Sequence, residues 1–507
     1  MRYLRVRSVT GPKRPWFVCG ALVALAGVSA GCGNQYRPVV TPVTPTGPAA
    51  QPSGYVVAFS QPTLTVPQPG ASTPCPNTLV SSGVATSPGV VTLIDFSGDS
   101  VMAQATLGTG PLTFALDSSG STAYSTNCDG TVSTVPLSNT LQSKNVLTTT
   151  LPSIVDPSTG GAINTLLTNL LVTTGGEYVA EPVAVDLGNK AAVGVLTNNT
   201  SGVASLKQEI PVAPSLVNVI GTAGGQRVYG ISQGNSSNGS GVTWGQCDTP
   251  SSVTTNGEAD GIDVTSNTLS SQLPVGICPV YGLMTPDGRR AFILNRGSGT
   301  ITVIDSNKNQ LDTDSASQYM KNATINIGKG PVYADYYAPS SLLVTANYDD
   351  DSISVISVPI NGPVDGYSDT STFGQVLATV KLATGSHPAA VTILQDGSRA
   401  FVADEGDGTV TMVNLSSFTV QSVLTVNGHP RSIASTYNAP VGKVYTVAND
   451  SPYLTVIRTD TNIVSSSILL QGNGVDLHTT TQYAGSSSTS APANNNTQSR
   501  SAGSGAP

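Results

Sequence analysis

The chain says the same thing more than once. Residues 386–414 read SHPAAVTILQDGSRAFVADEGDGTVTMVN, and residues 428–458 read GHPRSIASTYNAPVGKVYTVANDSPYLTVIR. Each copy has an apolar run opened by proline, a turn, a second run ending near Asn or Asp, another turn and a third run. A clear copy contains VYGLM at 280–284, the turn Pro286-Asp287-Gly288-Arg289, AFILN at 291–295, Gly297-Ser298-Gly299 and TITVID at 300–305. Short apolar runs split by Asp-Gly and Gly-Ser-Gly turns are antiparallel strands of a meander. One four-stranded meander cannot bury both of its faces. Repeated about every 40–50 residues, it must stack copy on copy, and around an axis the copies are blades of a β-propeller.

Third strands end near Asp95, Val135, Leu196, Val264, Asp305, Ile356, Asn414 and Ile457, which predicts eight blades. Seven is the alternative, if residues 138–275, where the repeat is weak, hold one elaborated blade. Residues 55–61 (YVVAFSQ) read like the second-strand run at 227–233 (RVYGISQ), so the first unit lacks its innermost strand. Residues 474–478 (GVDLH) read like a first strand with nothing after it. The C-terminal strand is therefore expected to complete the N-terminal blade and close the ring, which removes an exposed edge. The fold class expected is all-β, a single β-propeller of four-stranded blades closed by N- and C-terminal strands.

These units resemble the YVTN family of β-propeller repeats, in which Gly-x-x-Pro opens a unit and a Pro-Asp-Gly-basic turn leads to Tyr-Val-Thr-Asn. The residues that carry the resemblance include Ala123-Tyr124-Ser125-Thr126-Asn127, Val344-Thr345-Ala346-Asn347 and Val444-Tyr445-Thr446-Val447-Ala448-Asn449. The likeness is strong over 279–470 and visible around 108–137. It implies the fold and leaves the function open, because propellers similar to this one include lactonase-like enzymes, and the eight-bladed haem-binding propellers of nitrite reductases are another analogue.

Composition agrees with many short strands and tight turns: 53 glycines, 10% charged residues and 5% aromatics. Residues 1–31 hold five basic side chains (Arg2, Arg5, Arg7, Lys13 and Arg14) and no acidic one, so the formal charge of −8 becomes −13 beyond them, 17 basic against 30 acidic. No basic stripe is left to neutralise phosphates, and nucleic acid is excluded as a partner.

Residues 1–15 are a positive leader, and the apolar stretch 16–31 is too short for a membrane span. It ends in Ser29-Ala30-Gly31-Cys32, which resembles the bacterial lipobox. That resemblance implies a lipid on Cys32 and, with Gly33 in place of a retention Asp, the outer membrane. The expected organisation is a signal peptide at 1–31, a Pro/Thr-rich tether at 32–53, the propeller at 54–482 and a disordered Ser/Asn/Gly-rich tail at 483–507. A monomer is expected.

Beyond Cys32, four cysteines remain in an oxidising compartment: Cys75, Cys128, Cys247 and Cys278. On the propeller, Cys75, Cys128 and Cys247 fall between second and third strands, and Cys278 falls in a crossing between blades. All four then share one face, and the pairs Cys75–Cys128 and Cys247–Cys278 are predicted to staple adjacent blades.

The chain has three histidines. His387 and His429 stand before the proline of consecutive inner strands, on the same face as Asp350 and Asp404, and imidazole with carboxylate can hold a metal ion. The competing reading makes these side chains ordinary turn residues, and no cofactor is expected. Tyr333, Tyr336 and Tyr337 are read as packing between blades. No Gly-x-Ser-x-Gly elbow stands between a strand and a helix, and the chain has no His-Glu-x-x-His, no phosphate-cradle Gly-Lys-Ser/Thr and no Cys-x-x-Cys-His haem attachment. The function expected is a binding or scaffold module for a protein, glycan or small ligand, with a lactonase-like hydrolase or a metal- or cofactor-binding protein as alternatives.

Overall fold

The computed structural model of the chain describes residues 54–480, apart from internal stretches of which the longest are 66–83, 183–190, 238–245 and 360–371. Cys32, Cys75, the segments 1–31 and 32–53 and the tail 483–507 lie outside the described residues.

Among the described residues, eight antiparallel sheets of four or five strands follow one another along the chain, beside two small two-stranded ones, and the alternative of seven blades falls away. Blade 1 contains Tyr55–Gln61, Pro88–Asp95 and Ser100–Thr109. Blades 2 to 8 open with the inner strands Pro111–Leu116, Asn169–Thr173, Leu216–Gly221, Pro279–Met284, Pro331–Tyr337, Pro388–Ile393 and Pro430–Ser435. The inner strand of blade 1 is the C-terminal Asn473–Thr479, paired antiparallel with Tyr55–Gln61 so that Ala58 faces Leu477. Each inner strand packs beside the next, and the ring closes where the C-terminal strand lies between those of blades 8 and 2. Blade 5 departs from the plan: its outer strand is split into Gln310–Leu311 and Thr324–Asn326, both paired with Thr300–Asp305.

The core lies between blades. Tyr445, Val447 and Leu454 of blade 8 pack with Val56, Ala58 and Leu477 of blade 1, and Ala115, Tyr124 and Val132 of blade 2 pack with Leu170, Val179 and Leu196 of blade 3. Inner strands are covered on both faces, which is why Pro279–Met284 and the neighbouring Arg290–Asn295 are buried throughout, with apolar residues everywhere between Arg290 and Asn295. Outer strands such as Thr419–Thr425 alternate instead, with one side to water. Tyr333 stacks on Tyr281 of blade 5 with ring centroids 4.7 Å apart, and Tyr336 is buried, as the packing reading expects.

The repeated tyrosine and basic residue are joints between blades. The second-strand Tyr178, Tyr229 and Tyr445 donate their hydroxyls to Asn267, Asn309 and Asp99 at 2.7, 3.0 and 2.8 Å. Each acceptor is the left-handed residue of the next blade's third-to-fourth-strand turn (φ 53, 55 and 51°), a conformation that Asn and Asp tolerate better than most residues. The basic residues reach the same turns: Arg227 Nε to the Ser306 carbonyl at 3.1 Å, Arg399 Nη1 to the Thr459 carbonyl at 2.9 Å and Lys443 Nζ to Asp99 at 2.7 Å. This explains the motif as interface chemistry.

Candidate functional site at the axial mouth

In an up-and-down blade, second-to-third-strand turns and blade-to-blade crossings fall at one end of the sheet. The motif Asn ends the second strand here. Asn347 Nδ2 donates to Ser352 Oγ and Ser354 Oγ at 3.1 and 2.9 Å, and Asn295 Nδ2 donates to Thr300 and Thr302 at 3.2 and 2.9 Å. The glycine of Gly-x-x-Pro has to be glycine because this amide fills the space: a Cβ on Gly328 would lie 2.4 Å from Asn347 Nδ2.

Asp404 occupies that Asn position in blade 7. Its Oδ2 accepts from Thr411 at 2.6 Å, and the residue is fully buried. Burial pushes its carboxyl up to about 8 despite the Thr411 hydrogen bond, which favours the protonated form at neutral pH; where the Asn amide donates to the third strand, Asp404 Oδ2 accepts from it. The crossing differs to match. Gly385 turns its N–H to Asp351 Oδ2 (2.8 Å), and Asp404 Oδ1 has no hydrogen-bond partner.

His387 sits where other crossings have Gly110 or Gly330, and it shares their left-handed backbone (φ 46°, against 67 and 68°). Its N–H donates to Asp351 Oδ1 at 3.0 Å and its Nδ1 lies 3.1 Å from the Tyr348 carbonyl. The imidazole stacks on the Tyr348 ring (4.8 Å between centroids, 20° between planes). Arg296 covers the same tyrosine, its Cζ 5.1 Å from the centroid, and is clamped by Asp349 through Nε and Nη2 at 3.0 and 2.9 Å. Burial, and then the Glu405 carboxylate, push the Tyr348 hydroxyl up to about 12 against the pull of Arg431 and Arg296. Arg296, Tyr348, His387, Glu405 and Arg431 thus form one electrostatic neighbourhood across blades 5 to 8.

The four candidate metal ligands lie at this end, each with a partner of its own. His387 engages Asp351 and Tyr348. His429 engages Asp450, through its N–H at 2.8 Å and Nδ1 at 2.6 Å. Burial raises the Asp450 carboxyl, but the hydrogen bonds from His429 outweigh it and hold it below its ordinary value. Asp350 pairs with Lys381 Nζ at 2.7 Å, and Asp404 faces its own third strand. Among the described residues, no group of three or more His, Cys, Asp and Glu side chains is arranged to hold a metal ion. Cys247 and Cys278 are joined, tying the blade 4 turn to the crossing into blade 5. Cys128 is disulfide-bonded as well, and its predicted partner Cys75 is outside the described residues.

The sequence places Tyr348 and Glu405 on this face, within the turns 348–351 and 404–407, without a role for either, and it does not single out Arg296 or Arg431. A signal for three of them was present: each directly follows the motif Asn or Asp (Asn295, Asn347, Asp404), the register at which the second strand ends and its turn begins.

No protein-family model matches the chain, and no curated protein matches it. Among solved structures, dihydro-heme d1 dehydrogenase NirN in complex with DHE aligns at 14% identity over 87% of this chain and 78% of its own, with TM-score 0.54. Apo AztD from Citrobacter koseri aligns at 14% identity over 84% and 98%, with TM-score 0.48. A putative 6-phosphogluconolactonase from Bacteroides fragilis aligns at 11% identity over 85% and 99%, with TM-score 0.48. At such identities the likeness to NirN is one of fold: the chain is an eight-bladed β-propeller.

Proposed function

We propose that the protein is a non-catalytic binding module, held at the bacterial outer membrane by a lipid on Cys32, whose binding surface is the axial mouth of blades 5 to 8. The observation that carries this reading is the stack of Arg296, Tyr348 and His387, drawn from blade 5, blade 6 and the crossing into blade 7. Asp349 fixes one end and Asp351 the other. Arg296 and Tyr348 are buried and hold in place the His387 ring, which is the exposed member of the stack, and a side chain fixed in advance loses little entropy when a partner docks. A lactonase-like hydrolase needs a general base that can reach its substrate. Asp404, with its raised pKa, is fully buried and bonded to Thr411, which favours the binding reading.

The test is a thermal-shift screen of the unlipidated mature chain against sugars, amino acids, lactones, phosphate and divalent metals, repeated with Tyr348→Ala/His387→Ala. Stabilisation by at least one class, lost in the double variant, supports the reading. Turnover of a lactone that Glu405→Gln abolishes would replace it with the hydrolase. For the anchor, palmitate labelling of the full chain in cells should disappear in Cys32→Ser, and labelling that persists would remove it.

A further inference from the structure

Arg431 opens the inner strand of blade 8, and Glu405 follows the second strand of blade 7. Both are more than nine-tenths buried, at 7% and 9% exposure. Their closest approach, Nε to Oε1 at 3.6 Å, is an ion pair without a hydrogen bond. Arg431 Nη1 and Glu405 Oε2 are buried and have no hydrogen-bond partner among the described residues. Three other ion pairs at this mouth, Arg296–Asp349, Lys381–Asp350 and His429–Asp450, close to hydrogen-bonding distance, between 2.6 and 2.9 Å; the His387 ring stands 3.7 Å from Asp351, whose Oδ1 is instead bonded to the His387 N–H. A guanidinium and a carboxylate taken out of water are retained at low cost only when hydrogen bonds replace the lost hydration. This pair therefore has unspent donor and acceptor capacity, held beside the Tyr348–His387 stack.

We infer that Arg431 and Glu405 are the recognition edge for an uncharged, hydroxyl-rich ligand of the saccharide class, an inference that rests on the binding reading above. The two charges cancel, so the pair by itself favours neither an anion nor a cation. An anion docking on Arg431 would meet Glu405, and an ammonium docking on Glu405 would meet Arg431. A hydroxyl group donates and accepts at once, and two neighbouring hydroxyls match a guanidinium beside a carboxylate, accepting from Nη1 and donating to Oε2. The His387 ring, 44% exposed along its side chain, offers the flat face on which the C–H surface of a pyranose packs. Both atoms are buried in the free protein, and since among the described residues no hydrogen bond holds either charged side chain, ligand binding requires only that the side chains rotate to bring Nη1 and Oε2 to it.

The test is calorimetric titration of the unlipidated mature chain with glucose, N-acetylglucosamine, maltose and diacetylchitobiose. Glycine, phosphate and γ-butyrolactone form the opposing arms. Glu405→Gln keeps the shape of the side chain and removes its charge, so it reports even if Arg431→Gln fails to fold. Binding of a saccharide, weakened at least tenfold by either variant with melting unchanged, is the expected result. No binding by any of the four saccharides, or binding that neither variant changes, overturns the inference. Glycine, phosphate or lactone binding that depends on Arg431 or on the Tyr348–His387 stack would keep the binding module and sink the saccharide class. No probe sensitive to any of these positions would sink both.

Discussion

Tyr445 and Asp99 are 346 residues apart in the chain, and the hydroxyl of the first donates to the carboxylate of the second at 2.8 Å. Lys443 Nζ reaches the same carboxylate at 2.7 Å. Together they join the last blade to the first, beside the strand that closes the ring, and repeat at the seam the joint that Tyr178 and Tyr229 make between interior blades.

Asp99→Ala should therefore destabilise the whole ring. It removes the Asp99 carboxylate from the Tyr445 hydroxyl and the Lys443 ammonium at once, at a cost of about 1–3 kcal/mol. The readout is a lower denaturation midpoint in urea with unchanged slope. A midpoint equal to wild type would mean that the seam is held by Asn473–Thr479 alone.

The Asp404 carboxyl gives a pH prediction with a definite sign. Its folded pKa, about 8, lies above the ordinary 3.8, so the folded state holds the proton more tightly. Its contribution is complete below the unfolded value and is lost as pH rises from 3.8 to about 8. Asp404→Asn removes that dependence and should be the more stable protein at pH 8, by on the order of a few kcal/mol. Buried Asp335 has the same sign, pushed up to about 7, so the quantity to measure is the difference between the two proteins' melting temperatures across pH 4 to 9. A difference that stays constant with pH would show that Asp404 is ionised in the fold.

Gly328→Ala sets a methyl group against Asn347 Nδ2 and Ser352 Oγ, 2.4 and 2.9 Å from the Cβ position. A loss of about 1–3 kcal/mol is expected from overpacking. The same substitution at Gly385 meets nothing within 4 Å and is opposed only by a left-handed backbone (φ 81°). Pairing each with Asn347→Ala separates the two causes: the truncation should relieve Gly328→Ala and leave Gly385→Ala unchanged.

The Cys247–Cys278 bridge closes a segment 31 residues apart in sequence. Replacing both cysteines with serine should cost about 2–4 kcal/mol and speed proteolysis between residues 234 and 256. An unchanged melting temperature would mean that the turn is held by its contacts to Glu258, which accepts from Ser236 and Gln272.

Much of this protein was legible in its sequence because the information is local. Strand runs such as Pro279–Met284 and turns such as Asp287-Gly288 declare themselves within a few residues, and repetition turns them into a blade count. The need to remove a free edge predicted the pairing of the last strand with Tyr55–Gln61. The face shared by second-strand turns and crossings predicted Cys247–Cys278. The charged mouth was not legible in this way. Arg431 meets Glu405, and Arg296 meets Asp349, across blade boundaries that no periodicity encodes. Asp404 looks like a turn carboxylate in the sequence, and only the strand pairing beside Thr411 makes it a buried carboxyl at the Asn position, with its pKa pushed up. Local pattern determined the blades and their order; the packing of blade against blade decided which charges meet, because electrostatics and burial depend on distances that exist only once the ring has closed.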